Sequence, residues 1–129
     1  MGYEYKAKCK KCGKKFIVRE GGGFFFHLLH CEKCGKEKSL MFNKIGDAHF
    51  QYLKGLNQPY SIATSSSDKL IQETYPGEAI SIESYDDIVE KVAGLCKCGG
   101  QFRLDAPARC PKCKSTDYEN TYEHGLCYD

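Results

Sequence analysis

Eight of the nine cysteines in this 129-residue chain fall into four doublets: Cys9/Cys12, Cys31/Cys34, Cys96/Cys98 and Cys110/Cys113. Two thiolates this close in a tight turn can point at one centre, and two such turns complete the ligand set of a closed tetrahedral zinc site. The chemistry on offer is metal ligation. Gly13 and Gly35 follow the second cysteine of their doublets, where a residue without Cβ admits the left-handed backbone that aims amide N–H groups at sulfur. Taken in chain order, the doublets predict one centre from Cys9, Cys12, Cys31 and Cys34 and another from Cys96, Cys98, Cys110 and Cys113. Sulfur fills every position, so two structural Zn²⁺ ions are expected, with no open position for turnover. Thiolate ligation suits iron as well.

Rival uses of the cysteines fit less well. A thioredoxin-type redox pair is a single Cys-x-x-Cys at a helix N-terminus, which duplicated, glycine-terminated pairs do not resemble. A disulfide framework belongs to exported chains, and the polar stretch from Met1 to Lys15 has no hydrophobic signal core. Cytoplasmic location is the expectation. Cys127, close to the C-terminus, is read as a free thiol. His30 abuts Cys31, but four cysteines already complete that site, so His30, His27, His49 and His124 are not counted as ligands.

The elements that must hold these turns come next. Phe16–Val18 reads as a strand, Gly21–Gly23 as a hairpin reversal, Phe24–His30 as the return strand and Ser39–Phe42 as a third strand. Apolar residues recur at helical spacing from Ile45 to Leu56. A second helix is expected over Asp68–Tyr75, stopped by Pro76-Gly77, and Ala79–Ile82 reads as short structure. Ser84 is taken as the N-cap of a helix with Tyr85, Ile88, Val89 and Val92 inward, closed by Gly94. Gln101–Leu104 and a return after Pro107 suggest a second, shorter ribbon, with Tyr118 and Tyr122 in a further strand. The fold class is thus small, metal-stabilised α+β. Residues 1–44 are expected to form an N-terminal zinc ribbon, 45–95 a helical middle packed on it, and 96–129 a C-terminal ribbon and tail.

Residues 9–42 and 96–119 resemble zinc ribbons of the rubredoxin-like class, and Cys96–Ser115 is similar to the short C-terminal ribbons of uncharacterised small bacterial proteins. Cys110-Pro-Lys-Cys113 is similar to the second knuckle of rubredoxin, whereas Cys96-Lys-Cys98 departs from its first. The resemblance implies contact modules for protein or nucleic acid, or an iron electron carrier.

Charge and composition narrow the partners. Residues 1–44 carry a net +7 and residues 45–95 a net −5 within an overall +2. Two Cys₄ zinc centres would bring the whole chain to about −2. The reading that follows is a non-enzymatic adaptor for another protein. The alternative is nucleic-acid binding through Lys6, Lys8, Lys10, Lys11, Lys14, Lys15 and Arg19, with Phe24–Phe26 stacking on bases. No apolar run is long enough for a membrane span. No nucleophile elbow, phosphate loop or dinucleotide fingerprint occurs, so no small-molecule substrate is expected. The acidic group Asp86, Asp87 and Glu90 is read as a solvated helix start rather than a catalytic pair.

Overall fold

The computed structural model describes residues 2–23, 25–56, 58–61 and 64–128, apart from the side chains of His124, Leu126 and Tyr128. Phe24 and the His124 side chain, both weighed above, lie outside the described residues. In chain order the elements are β1 (Gly2–Cys9), β2 (Lys15–Glu20), β3 (Phe26–Cys31), β4 (Glu37–Met41), α1 (Phe42–Ile45), α2 (Asp47–Gly55), α3 (Ser65–Thr74), α4 (Ile82–Ala93), β5 (Phe102–Arg103) and β6 (Tyr118–Tyr128). The strands form two antiparallel three-stranded sheets, ordered β2-β1-β6 and β4-β3-β5.

The class is α+β, but the strands pair differently from the expected ribbons. Phe16–Val18 does not pair with the strand after the glycines; it pairs with β1, in the register Ala7↔Phe16 and Tyr5↔Val18. The reason lies in the cysteine turn itself. Cys9 N–H donates to Lys14 O at 2.9 Å and Gly13 N–H to Cys9 O at 2.9 Å, so the Cys9–Cys12 turn is the β1–β2 hairpin turn. The Cys31–Cys34 turn joins β3 to β4 in the same way, with Cys31 N–H on Lys36 O at 2.8 Å. Gly21–Gly23 therefore links two sheets instead of reversing one hairpin. The chain bends so sharply there that a Cβ on Gly22 would sit 2.5 Å from Phe26 O.

The C-terminal segment is also divided. β5 pairs with β3 (His30↔Arg103, Cys31↔Phe102), while β6 pairs with β1 (Ala7↔Asn120, Cys9↔Tyr118). The residues after Pro107 form no return strand. Residues 1–44 and 96–129 thus each contribute strands to both sheets, in place of one ribbon apiece.

The larger core lies between β4-β3-β5 and the helices. It gathers Leu29, Leu40, Ile45, Tyr85, Val89, Ala93 and Phe102. Among the described residues, the sheet β2-β1-β6 encloses a small cluster of Ala7, Val18 and Ala108, with Tyr5, Phe16 and Tyr118 packed around them. The helix expected over 45–56 is α2, which starts after Gly46, whose φ of 75° no α-helix accommodates; Ile45 instead closes the separate α1. The last helix begins earlier than Ser84: its N-cap is Ser81, whose Oγ accepts from Ser84 N–H at 3.2 Å. Residues 79–81 form no strand, and Ile82 already opens α4. At the other end of α4, Gln101 Nε2 donates to Glu90 O and Gly94 O, each at 2.9 Å, and Lys38 Nζ donates to Ala93 O at 2.7 Å. Together with Gly94 N–H on Glu90 O at 3.1 Å, these bonds satisfy the carbonyls at the end of α4.

Candidate metal centres

Each doublet forms one hydrogen-bonded knuckle, and the four share a pattern. In three of them the N–H four residues after the first cysteine donates back to that cysteine's carbonyl: Gly13 to Cys9 (2.9 Å), Gly35 to Cys31 (3.0 Å) and Lys114 to Cys110 (2.8 Å). The first cysteine's own N–H closes the turn one residue further on, at Lys14, Lys36 and Ser115. The Cys96 knuckle is one residue shorter and keeps both bonds, Gly99 N–H to Cys96 O at 2.9 Å and Cys96 N–H to Gly100 O at 2.7 Å. The residue after each second cysteine has positive φ: 77° at Gly13, 76° at Gly35, 91° at Gly99 and 63° at Lys114.

The knuckles meet in a nested order. Cys9 and Cys12 face Cys110 and Cys113, while Cys31 and Cys34 face Cys96 and Cys98. All eight predicted ligands are gathered into two sets of four, but each set joins doublets from opposite halves of the chain. This departs from the sequential grouping expected above. The Cys9 and Cys31 knuckles each turn a hairpin, and the sheets decide which knuckles become their neighbours: β1–β6 pairing carries the Cys110 knuckle to Cys9, and β3–β5 pairing carries the Cys96 knuckle to Cys31.

The donor geometry suits a tetrahedral ion. Sγ···Sγ separations are 3.5 Å for Cys9–Cys113 and Cys12–Cys110, 3.4 Å for Cys31–Cys98 and 3.6 Å for Cys34–Cys96. Four sulfurs about 2.3 Å from a central zinc would stand about 3.8 Å apart, whereas a disulfide needs about 2.05 Å. No pair among the described cysteines is bridged. In each set two cysteines are buried, one is half-buried and one, Cys98 or Cys113, is exposed.

The local electrostatics prepare these sulfurs for a cation. The Cys12 N–H, 3.5 Å from Cys9 Sγ, and the neighbouring Lys11 amide hold the Cys9 thiol down at about 6. Burial opposes ionisation of Cys31, yet the amides of Cys34 and Lys33, at 3.5 and 3.4 Å from Sγ, bring it to about 6. Cys34 receives help from the Lys36 amide, but burial and the neighbouring sulfurs push it up to about 11. Cys113 likewise has the Ser115 amide in its favour and is pushed up to about 11 mainly by Cys9. Four crowded sulfurs therefore resist sharing four negative charges, which a dication at their centre would neutralise.

Arg109 ties the two sets together. It precedes Cys110, and its guanidinium donates to Lys114 O at 3.0 Å in one pair of knuckles and to Glu32 O at 3.1 Å in the other. Gly35 makes room for it: a Cβ there would lie 2.5 Å from both Arg109 N and Arg109 Cβ. Sequence reasoning missed this residue, because no local motif marks an arginine that acts between two turns.

The remaining candidates lie elsewhere. His30 is buried beside Cys31, outside both ligand sets, with no hydrogen-bond partner for Nε2 among the described residues. His27 Nε2 and His49 Nδ1 both meet the Tyr85 hydroxyl, at 2.8 and 2.9 Å. Burial, with His49 nearby, holds His27 at about 4, and burial holds His49 at about 4 as well. Cys127 is exposed and belongs to neither set. Several of the basic residues considered for nucleic acid are already paired. Glu123 takes Lys15 (2.8 Å) and Lys6 (3.5 Å), Asp117 takes Lys10 (4.0 Å), and Arg19 spans Glu4 (2.6 Å) and Glu37 (2.8 Å). Glu90 in the acidic group accepts from Leu104 N–H at 3.0 Å and lies 3.5 Å from Arg103.

Residues 5–119 match the model of a family described as a domain of unknown function, DUF8255. The chain belongs to that family. All eight clustered cysteines of this DUF8255 member lie within the matched span, whereas β6 runs past its end. No curated protein and no solved structure matches the chain. Among the described residues no helix is long and apolar enough to cross a membrane.

Proposed function

We propose that this chain is a non-enzymatic interaction module, pinned by two structural zinc ions, that receives a segment of a partner protein in a groove beside the sheet β4-β3-β5. The groove carries the reading. It has a volume of about 520 Å³ and is lined by Phe25, Met41, Phe42, His49 and Phe50, with Asn43 and Asp47 as its polar side chains. Phe25 is 58% exposed and Met41 45%, which is costly surface for a chain of this size to leave in water. Zinc supports such a surface by scaffolding: Cys₄ coordination leaves no open position, and the small core of the β2-β1-β6 sheet needs the added binding energy. The departure of Cys96-Lys-Cys98 from the first knuckle of rubredoxin favours pins over redox groups, and a cytoplasmic setting keeps the thiols reduced.

Nucleic-acid binding is the weaker reading, because Lys6, Lys10, Lys15 and Arg19 have carboxylate partners. The test is a partner assay with charge placed on the groove rim. Phe25→Glu and Met41→Glu should retain both metals and the fold while abolishing a cross-link to the native partner. Unchanged cross-linking, or salt-sensitive oligonucleotide binding of comparable strength, would overturn the proposal.

A further inference from the structure

We infer that the groove selects a partner segment with a tyrosine or tryptophan anchor flanked by basic residues, and that His49 reads the anchor's polar atom. This rests on the interaction reading above and names the chemistry of the occupant. Three observations carry it. The groove is walled mainly by aromatic rings and Met41, and a volume of about 520 Å³ admits a large side chain together with its flanking backbone. Tyrosine and tryptophan combine such an apolar body with a polar tip, which makes them frequent interface anchors.

The second observation is the state of His49. Its ring is only 7% exposed, stacks on Phe42 with centroids 4.1 Å apart, and lines the groove. Nδ1 is engaged by Tyr85, and no hydrogen bond reaches Nε2 among the described residues. The ring is therefore held in place with one nitrogen left to bond. Tyr85 has a single hydroxyl proton and meets two imidazole nitrogens, so it donates to one ring and accepts N–H from the other. When Tyr85 donates to His49 Nδ1, His49 Nε2 carries a proton and donates; in the opposite arrangement Nε2 accepts. Shifting the two tautomers together lets one site accept an indole N–H or bond a phenol in either sense. A phenylalanine or leucine anchor would fill the same apolar space and leave Nε2 without a partner.

The third observation is charge. Asp47 is the charged residue of the groove's described lining and has no ion pair among the described residues. Lysine or arginine beside the anchor complements this carboxylate.

The test uses the full, metal-loaded chain, ¹⁵N-labelled, titrated with five capped peptides of the form Gly-Lys-Xaa-Lys-Gly in which Xaa is Trp, Tyr, Phe, Leu or Ala. The Trp and Tyr peptides should bind about fivefold tighter than the Phe peptide, the size of one net hydrogen bond, and should shift amides of β4, α1 and α2. Replacing both flanking lysines with glutamate should weaken binding. On the wild-type chain, the His49 Nε2 resonance should move with the Trp and Tyr peptides and stay still with Phe. His49→Phe, checked for metal content and melting temperature, should erase the preference. If no peptide binds, the interaction reading and this inference fall together. If Phe and Leu peptides bind as tightly as Trp and Tyr with the His49 resonance unmoved, the groove reading stands and the assignment to His49 is overturned.

Discussion

Replacing Cys9 with serine separates the nested arrangement from a sequential one. Cys9 Sγ lies 3.5 Å from Cys113, and its set contains Cys12, Cys110 and Cys113. Among the described residues, the core of the sheet at this centre is Ala7, Val18 and Ala108, worth about 3 kcal/mol of apolar burial, against about 10–16 kcal/mol for binding a structural zinc. Losing the ion should therefore open β1, β2 and β6. The larger core around Leu29, Tyr85 and Val89 should survive, because its own centre is intact. Metal content should fall from two ions per chain to one. In timed alkylation read by mass spectrometry, Cys127 should react fast in the parent protein, and Cys12, Cys110 and Cys113 should join it in the variant. A sequential arrangement would release Cys12, Cys31 and Cys34 instead, the same number of thiols with different identities. Fast labelling of Cys31 and Cys34, with Cys110 and Cys113 protected, would refute the pairing.

Other expectations follow from single contacts. Gly13→Ala and Gly35→Ala both place a side chain at positive φ, a cost of about 1–2 kcal/mol, but only the second collides with Arg109. Chemical denaturation should show Gly35→Ala as the more damaging, and equal losses would dismiss the Arg109 clamp. Gly100→Ala would set a Cβ 2.5 Å from Cys31 Sγ, so competition with a chelator should show weakened metal at the Cys31 centre and an unchanged Cys9 centre. His27 and His49 are held near 4, below the about 6.5 of an unfolded imidazole. The unfolded chain thus binds more protons between these values, and this contribution, complete above pH 6.5, is lost as pH falls toward 4. Imidazole ¹⁵N spectra should show both rings neutral at pH 6, and a protonated ring there would contradict the buried His–Tyr–His chain.

The candidate ligands were legible because a knuckle is a local object: two cysteines, a tight turn and a residue that tolerates positive φ. Which knuckles meet is a property of strand pairing, and spacing along the chain does not encode it. The missing clue was β1. Its residues alternate Tyr3, Tyr5, Ala7 and Cys9 against Glu4, Lys6 and Lys8, a period of two hidden beneath a polar composition. Once a strand precedes Cys9, the first knuckle becomes a hairpin turn, and Phe16–Val18 has its partner before the glycines are reached. Two serines three positions apart each fit the N-cap pattern of α4, and only the fold distinguishes Ser81 from Ser84. The groove arises where Phe25, β4 and α2 converge, so no single segment announces it.

X-ray absorption combined with elemental analysis, on protein purified without added metal, addresses the central claim most directly. Two zinc ions per chain, each surrounded by four sulfur scatterers at about 2.3 Å, is the predicted result. A single ion per chain, or an oxygen or nitrogen scatterer in place of one sulfur, would contradict two closed scaffold centres.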